Sequence, residues 1–155
     1  MAIQSGITVR WKQLAMGGHP NSISPGYQGF KIALFSSLAS LTTLSTSLYS
    51  AALPGEISAS SGGVSTNYTA GGQIITVLSV SVAGSTSYIT FNSASWTSAT
   101  FGADGCLIYN TSAVNGTQNR TLAVIDFGGT KTATNGTFSI TMPAKGASTS
   151  IIRLA

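Results

Sequence analysis

Ile74-Ile75-Thr76-Val77-Leu78-Ser79-Val80-Ser81-Val82-Ala83-Gly84-Ser85-Thr86-Ser87-Tyr88-Ile89-Thr90-Phe91 decides the fold class of this chain. The two-residue period puts Ile74, Thr76, Leu78, Val80 and Val82 on one face of a long extended strand. Gly84-Ser85 then supplies a two-residue turn, and Tyr88-Ile89-Thr90-Phe91 runs back. The residue types agree with the period, since β-branched and aromatic side chains suit a pleated surface.

The same reading extends in both directions. Phe30, Ile32 and Leu34 alternate with Lys31, Ala33 and Phe35 as an earlier strand. Leu38, Leu41, Leu44 and Leu48 follow at spacings of three and four, which suit a weak helical turn or a loop equally, because Ser and Thr fill the gaps. Residues 54–72 carry Pro54-Gly55, Gly62-Gly63 and Gly71-Gly72 and read as a long loop, a length usually tied to function or to a neighbour. Trp96 and Phe101 bracket a further loop, with Asp104-Gly105 as a turn. Gly105-Cys106-Leu107-Ile108-Tyr109 and Leu122-Ala123-Val124-Ile125-Asp126-Phe127 are apolar on both faces, so each reads as a central strand, the second ended by Gly128-Gly129. Asn115-Gly116 and Asn135-Gly136 offer turns. Phe138, Ile140 and Met142 alternate up to Pro143, and Ile151-Ile152-Arg153-Leu154 reads as a closing strand. Seven to nine short strands at this spacing predict an all-β fold: a single β-sandwich or jelly-roll-like domain over residues 29–155. Residues 1–28, punctuated by Gly17-Gly18-His19-Pro20 and Ser24-Pro25-Gly26, read as an extended N-terminal arm.

Charge is scarce. Seven Lys and Arg face three Asp and Glu in 155 residues, so charged residues make up 6 % of the chain, against about a quarter in ordinary domains. Charge keeps proteins soluble and apart; a surface of hydroxyls and amides is tolerable where other subunits cover it. The formal charge of +4 comes from a lack of acids. No cluster of Lys and Arg marks a nucleic-acid interface. No run of 18 or more apolar residues suits a membrane helix, and scattered aromatics without a secretory start do not suit an outer-membrane barrel. The expectation is a protein bound to neither membrane nor nucleic acid.

Few groups are able to do chemistry. His19 is the sole histidine, in a Gly/Pro turn, and Glu56, Asp104 and Asp126 are the only carboxylates. No Gly-x-Ser-x-Gly elbow accompanies them, and no spacing suits a metal. The reading is no catalytic residue, no metal site and no cofactor. Cys106 is alone, which leaves no intrachain disulfide and suggests a small core hydrophobe. Asp126, inside an apolar strand, needs a partner; Arg153 or Arg120 would supply a structural ion pair. Asn67, Asn110, Asn115, Asn119 and Asn135 match Asn-x-Ser/Thr and read as turn residues. Tyr68, Trp96 and Tyr109 would stack on a sugar if they gathered on one surface; otherwise they are core and loop anchors. In the arm, Arg10, Trp11 and Lys12, with Tyr27, form a candidate interface joined by Tyr68, since a wet Trp gains most by docking.

Several stretches carry a resemblance. Tyr68-Thr69-Ala70-Gly71-Gly72, Trp96, Ala99-Thr100-Phe101-Gly102-Ala103-Asp104-Gly105-Cys106-Leu107-Ile108-Tyr109-Asn110, Ala123-Val124-Ile125-Asp126-Phe127-Gly128-Gly129-Thr130-Lys131, Asn135-Gly136-Thr137-Phe138-Ser139-Ile140-Thr141-Met142-Pro143 and Ile151-Ile152-Arg153-Leu154-Ala155 are strand and turn signatures. Together they resemble a family of small tailed-bacteriophage virion structural proteins, from about Phe30 to the C-terminus. The resemblance implies a non-enzymatic capsid decoration or cement protein, made in the host cytoplasm and placed on the head surface, bridging capsomers, with the major capsid protein and copies of itself as partners. A tail or fibre module binding host-surface glycan is the alternative it leaves open.

Overall fold

The computed structural model describes residues 6–7, 29–39, 41, 48–51, 53–61, 63–113, 117–146 and 148–154. Ten strands are present among the described residues: β1 (Gly6–Ile7), β2 (Phe30–Phe35), β3 (Ser60–Ser61), β4 (Val64–Ser65), β5 (Gln73–Ile75), β6 (Val77–Ala83), β7 (Thr86–Phe91), β8 (Ala94–Asn110), β9 (Arg120–Ile140) and β10 (Ile152–Leu154). No helix occurs among the described residues. A five-stranded sheet runs in the order β1-β9-β8-β2-β5, a three-stranded sheet β10-β7-β6, and β3-β4 is a small ribbon. Every pairing is antiparallel. The fold is an all-β, sandwich-like domain.

The main core lies between the two larger sheets. Phe30, Ile32 and Leu34 from β2, with Cys106 and Ile108 from β8, meet Phe91 and Ile152 from the smaller sheet. The five-stranded sheet is covered on its other face too, where Ala33, Phe35, Leu107, Tyr109 and Val124 pack with Leu38, Leu41 and Tyr49. That double burial is why β2 and the inner halves of β8 and β9 are apolar at consecutive positions. In a sheet with a solvated face, polar residues would alternate in. Leu38 and Leu41 anchor this second layer, joined by a turn in which Leu41 N–H donates to Leu38 O at 2.9 Å. Leu48 lies outside it, exposed and bridged to Arg120, and Leu44 lies outside the described residues.

Several expected turns are strand. β8 and β9 run for 17 and 21 residues, far beyond the usual 3–10, so the expected loop between Trp96 and Phe101 and the turn at Asp104-Gly105 are absent. Ladder irregularities make such lengths possible. Register shifts fall between Trp96 and Ala99, Ala99 and Phe101, and Ala103 and Gly105, and extra residues of this kind bend and twist a strand. Ser98, Asn135, Gly128 and Gly129 take positive φ at these places. Gly128-Gly129 therefore bulges β9 and does not end it, and Asn135-Gly136 kinks the strand without reversing it. A dipeptide able to adopt φ above zero serves a bulge as well as a turn, and the partner strand decides which.

The 54–72 segment is no free loop. Ser36 N–H donates to Gly55 O at 2.8 Å and Ile57 N–H to Leu34 O at 3.0 Å, and Glu56 bridges Phe35. Thr66 and Tyr68 are buried. The segment seals the side of β2 that β5 leaves open.

Candidate functional site

Two features stand out: an apolar edge strand and a tyrosine–glutamate cluster. The edge begins where the expected long strand breaks. β5 pairs with β2 through Phe30↔Ile75, Lys31↔Ile74 and Ile32↔Gln73, so it belongs to the five-stranded sheet. At Thr76 the chain leaves that sheet, and Asn92 fastens the corner by donating its N–H to Thr76 O at 3.0 Å. β6 then joins the other sheet, with a register shift between Val77 and Ser79.

A one-residue shift moves every later side chain to the opposite face. Ile74 consequently sits beside Lys31 on one sheet. Val80 and Val82 sit opposite Ile89 and Ser87 on the other, on the face that carries Ile152 into the core. Ile74, Thr76, Leu78, Val80 and Val82 therefore do not share one face. The sequence period is right, but the crossing and the bulge divide it.

The result is an edge strand with uncovered apolar side chains. Leu78, Val80 and Val82 are 58, 42 and 69 % exposed. Ser79 and Ser81 alternate with them, half-buried, their hydroxyl oxygens 2.8 Å apart. Val80 lies in one cross-strand row with Ile89 and the buried Ile152, and Val82 stands two residues nearer the turn, so it is the edge of this sheet that shows valine to solvent. Among the described residues, β6 has a ladder partner on one side alone. Edge strands are ordinarily guarded by charge or proline. Residues 57–103 contain no Asp, Glu, Lys, Arg, His or Pro at all.

The second feature centres on Glu56. Its Oε2 accepts from Tyr49 Oη at 2.8 Å, and its Oε1 accepts from Tyr68 Oη at 2.9 Å and from Gly71 N–H at 2.6 Å. Tyr68 Oη accepts in turn from Leu34 N–H at 2.9 Å, and Tyr109 Oη donates to Gly71 O at 2.7 Å. Tyr49 and Tyr109 stack at 4.2 Å and 12°. Burial pushes the Tyr49, Tyr68 and Tyr109 phenols well above their ordinary value, with the Glu56 carboxylate adding to the rise. The carboxylate is answered by three donors from the chain itself, so the cluster works as a clamp tying the 54–72 segment to β2 and β8. Sequence reasoning missed it, because Tyr49, Glu56, Tyr68 and Tyr109 meet only through the fold.

The sequence candidates are placed as follows. Arg10, Trp11, Lys12, Tyr27 and His19 lie outside the described residues. Tyr68 is 2 % exposed and packs near Trp96 and Phe101, so it is a core anchor and not a surface contact. Trp96 and Tyr109 are buried likewise; the three aromatics form no exposed platform. Asp126, half-buried on β9, accepts from Gly128 N–H at 2.7 Å and shapes the bulge. Arg153 is exposed on β10, in the other sheet, and donates from Nη1 to Ser148 O at 2.9 Å. Arg120 opens β9 opposite Asn110 and is buried. Cys106 is fully buried, and burial pushes its thiol pKa up. Asn67 and Asn119 take positive φ outside the strands, as turn residues do. Asn135 also takes positive φ but inside β9, where it kinks the strand and makes no turn; Asn110 is buried in β8, and Asn115 lies outside the described residues. Among the described residues no three His, Cys, Asp or Glu gather to hold a metal ion.

No protein-family model, no curated protein and no solved structure matches this chain.

Proposed function

We propose that this chain is a non-enzymatic structural subunit of a virion, a decoration or cement protein that binds the major capsid protein on the head surface and bridges capsomers. The observation that carries the reading is the uncovered β6 edge, with Leu78, Val80 and Val82 exposed inside a 57–103 stretch that has no charge. An isolated soluble protein guards such an edge, whereas a subunit of an assembly covers it. The class of assembly comes from the resemblance of the chain's strand and turn stretches to tailed-phage virion proteins. Adhesion through many copies lets modest single contacts hold a shell. The role needs no cofactor, nucleic acid or membrane. The glycan-binding alternative loses its main support, because Tyr68, Trp96 and Tyr109 are buried.

The test is to locate the chain on purified particles by antibody labelling and particle reconstruction. Many copies on the head surface are expected. Copies confined to the tail, or particles that lack the chain, would overturn the reading.

A further inference from the structure

We infer that β6 pairs antiparallel with β6 of a second copy across a two-fold axis at Val80, joining two three-stranded sheets into one. The inference builds on the assembly reading by naming the occupant of the edge.

The backbone argument starts at the turn. Gly84, at φ 60, opens a two-residue loop between the paired residues Ala83 and Thr86. Such a loop closes on a hydrogen-bonded pair, and hydrogen-bonded and non-bonded pairs alternate along an antiparallel ladder. Ser81↔Tyr88 is then a bonded pair, while Val82↔Ser87 and Val80↔Ile89 are not. The N–H and C=O groups of Val80 and Val82 therefore point away from β7, toward the free edge.

The side-chain argument concerns what fits there. Leu78-Ser79-Val80-Ser81-Val82 has the same apolar–serine pattern read in either direction. Antiparallel pairing centred on Val80 sets Val80 against Val80, Ser79 against Ser81 and Leu78 against Val82. Every contact is like with like in polarity, and no charge opposes its own image. A two-fold interface requires this self-complementarity. A capsid strand or other partner would need a matching pattern of its own, whereas a second copy supplies one. Five residues a side bury less than the roughly 1,200 Å² of a stable specific interface. The pairing is accordingly weak between free subunits and gains strength from arrays on a common surface.

Disulfide trapping in the free full-length protein tests register as well as contact. Paired Cα atoms in a hydrogen-bonded pair lie about 5.5 Å apart, within disulfide range. Val80→Cys should form a covalent dimer with oxidised glutathione at least tenfold faster than Val82→Cys, whose own mate in the second copy is about 13 Å away along the strand. Wild-type Cys106, fully buried, should not crosslink. Circular dichroism confirms that the variants fold, and maleimide labelling confirms that the Val80→Cys thiol is accessible. Equal dimer rates would overturn the proposal. So would an accessible Val80→Cys thiol that gives no dimer, or a thiol shielded from maleimide, which would mean that the chain covers its own edge. Particle localisation is a separate readout, so either proposal can fail while the other stands.

Discussion

Tyr68→Phe removes a single oxygen, and the structure says what that oxygen holds. β5 pairs with β2 only from Phe30 to Ile32, so Leu34, buried on the same strand, needs another acceptor for its N–H. Tyr68 Oη provides it at 2.9 Å and also donates to Glu56 Oε1 at 2.9 Å. Leaving a buried N–H unanswered costs about 1–3 kcal/mol, and a hydrogen bond to a charged group contributes about 1.5–3. Glu56 keeps its bonds from Tyr49 and Gly71 and is only half-buried, so the second loss is partly offset. The expected destabilisation is about 2–4 kcal/mol, a fall in Tm of roughly 5–12 °C for a chain of this size. Tyr49→Phe is the matched control. It loses one bond to the half-buried Glu56, partly offset as before, while its ring stays stacked on Tyr109, for a cost of about 1–2 kcal/mol. Urea denaturation at neutral pH measures both, and amide exchange at Leu34 should accelerate in Tyr68→Phe alone. A Tyr49→Phe cost equal to or above that of Tyr68→Phe would refute the assignment of Tyr68 as the acceptor that closes β2.

Alkaline pH should act on the same cluster. Tyr68 has its phenol raised by burial and then by Glu56, so the unfolded chain loses this proton first, near pH 10. Stability is then fully present below about pH 10 and falls as pH rises, Tyr68 alone removing about 1.4 kcal/mol by pH 11. Tyr49 and Tyr109 act in the same direction. Urea midpoints between pH 8 and 11 check this, and a flat profile above pH 10 would contradict it. Gly72→Ala and Gly63→Ala separate strain from collision. Both glycines have positive φ, but a Cβ at Gly72 would sit 1.8 Å from Ile32 O, whereas one at Gly63 would meet nothing within 4 Å. Gly63→Ala should cost about 1–2 kcal/mol, and Gly72→Ala more than about 4, enough to detach β5 from β2; equal costs by thermal denaturation would show that crowding at Gly72 is relieved.

The all-β class was legible because alternation is local: Phe30–Phe35, Tyr88–Phe91 and Ile152–Leu154 are strands where their side chains alternate. Gly105–Tyr109 and Leu122–Ile125 could be read as central because a strand covered on both faces has no polar position to spare. Cys106 could be read as core for the same reason. Turn dipeptides were less informative. Asn135-Gly136 and Gly128-Gly129 announce positive φ truthfully, yet whether a chain reverses or merely bulges depends on the strand alongside.

Faces and meetings belonged to the tertiary structure alone. The alternation of Ile74 through Val82 is plain in the sequence, but the crossing at Thr76 and the shift after Val77 divide those residues between two sheets. A period of two carries no record of a one-residue slip elsewhere in the ladder. Tyr68 shows the same limit. Its type suits a surface or a core, and only the approach of Glu56 and Leu34, brought there by the packing of the 54–72 segment, makes it an anchor. Side-chain period is a property of the chain, whereas partnership depends on distance, and distance exists only once the sheets have packed.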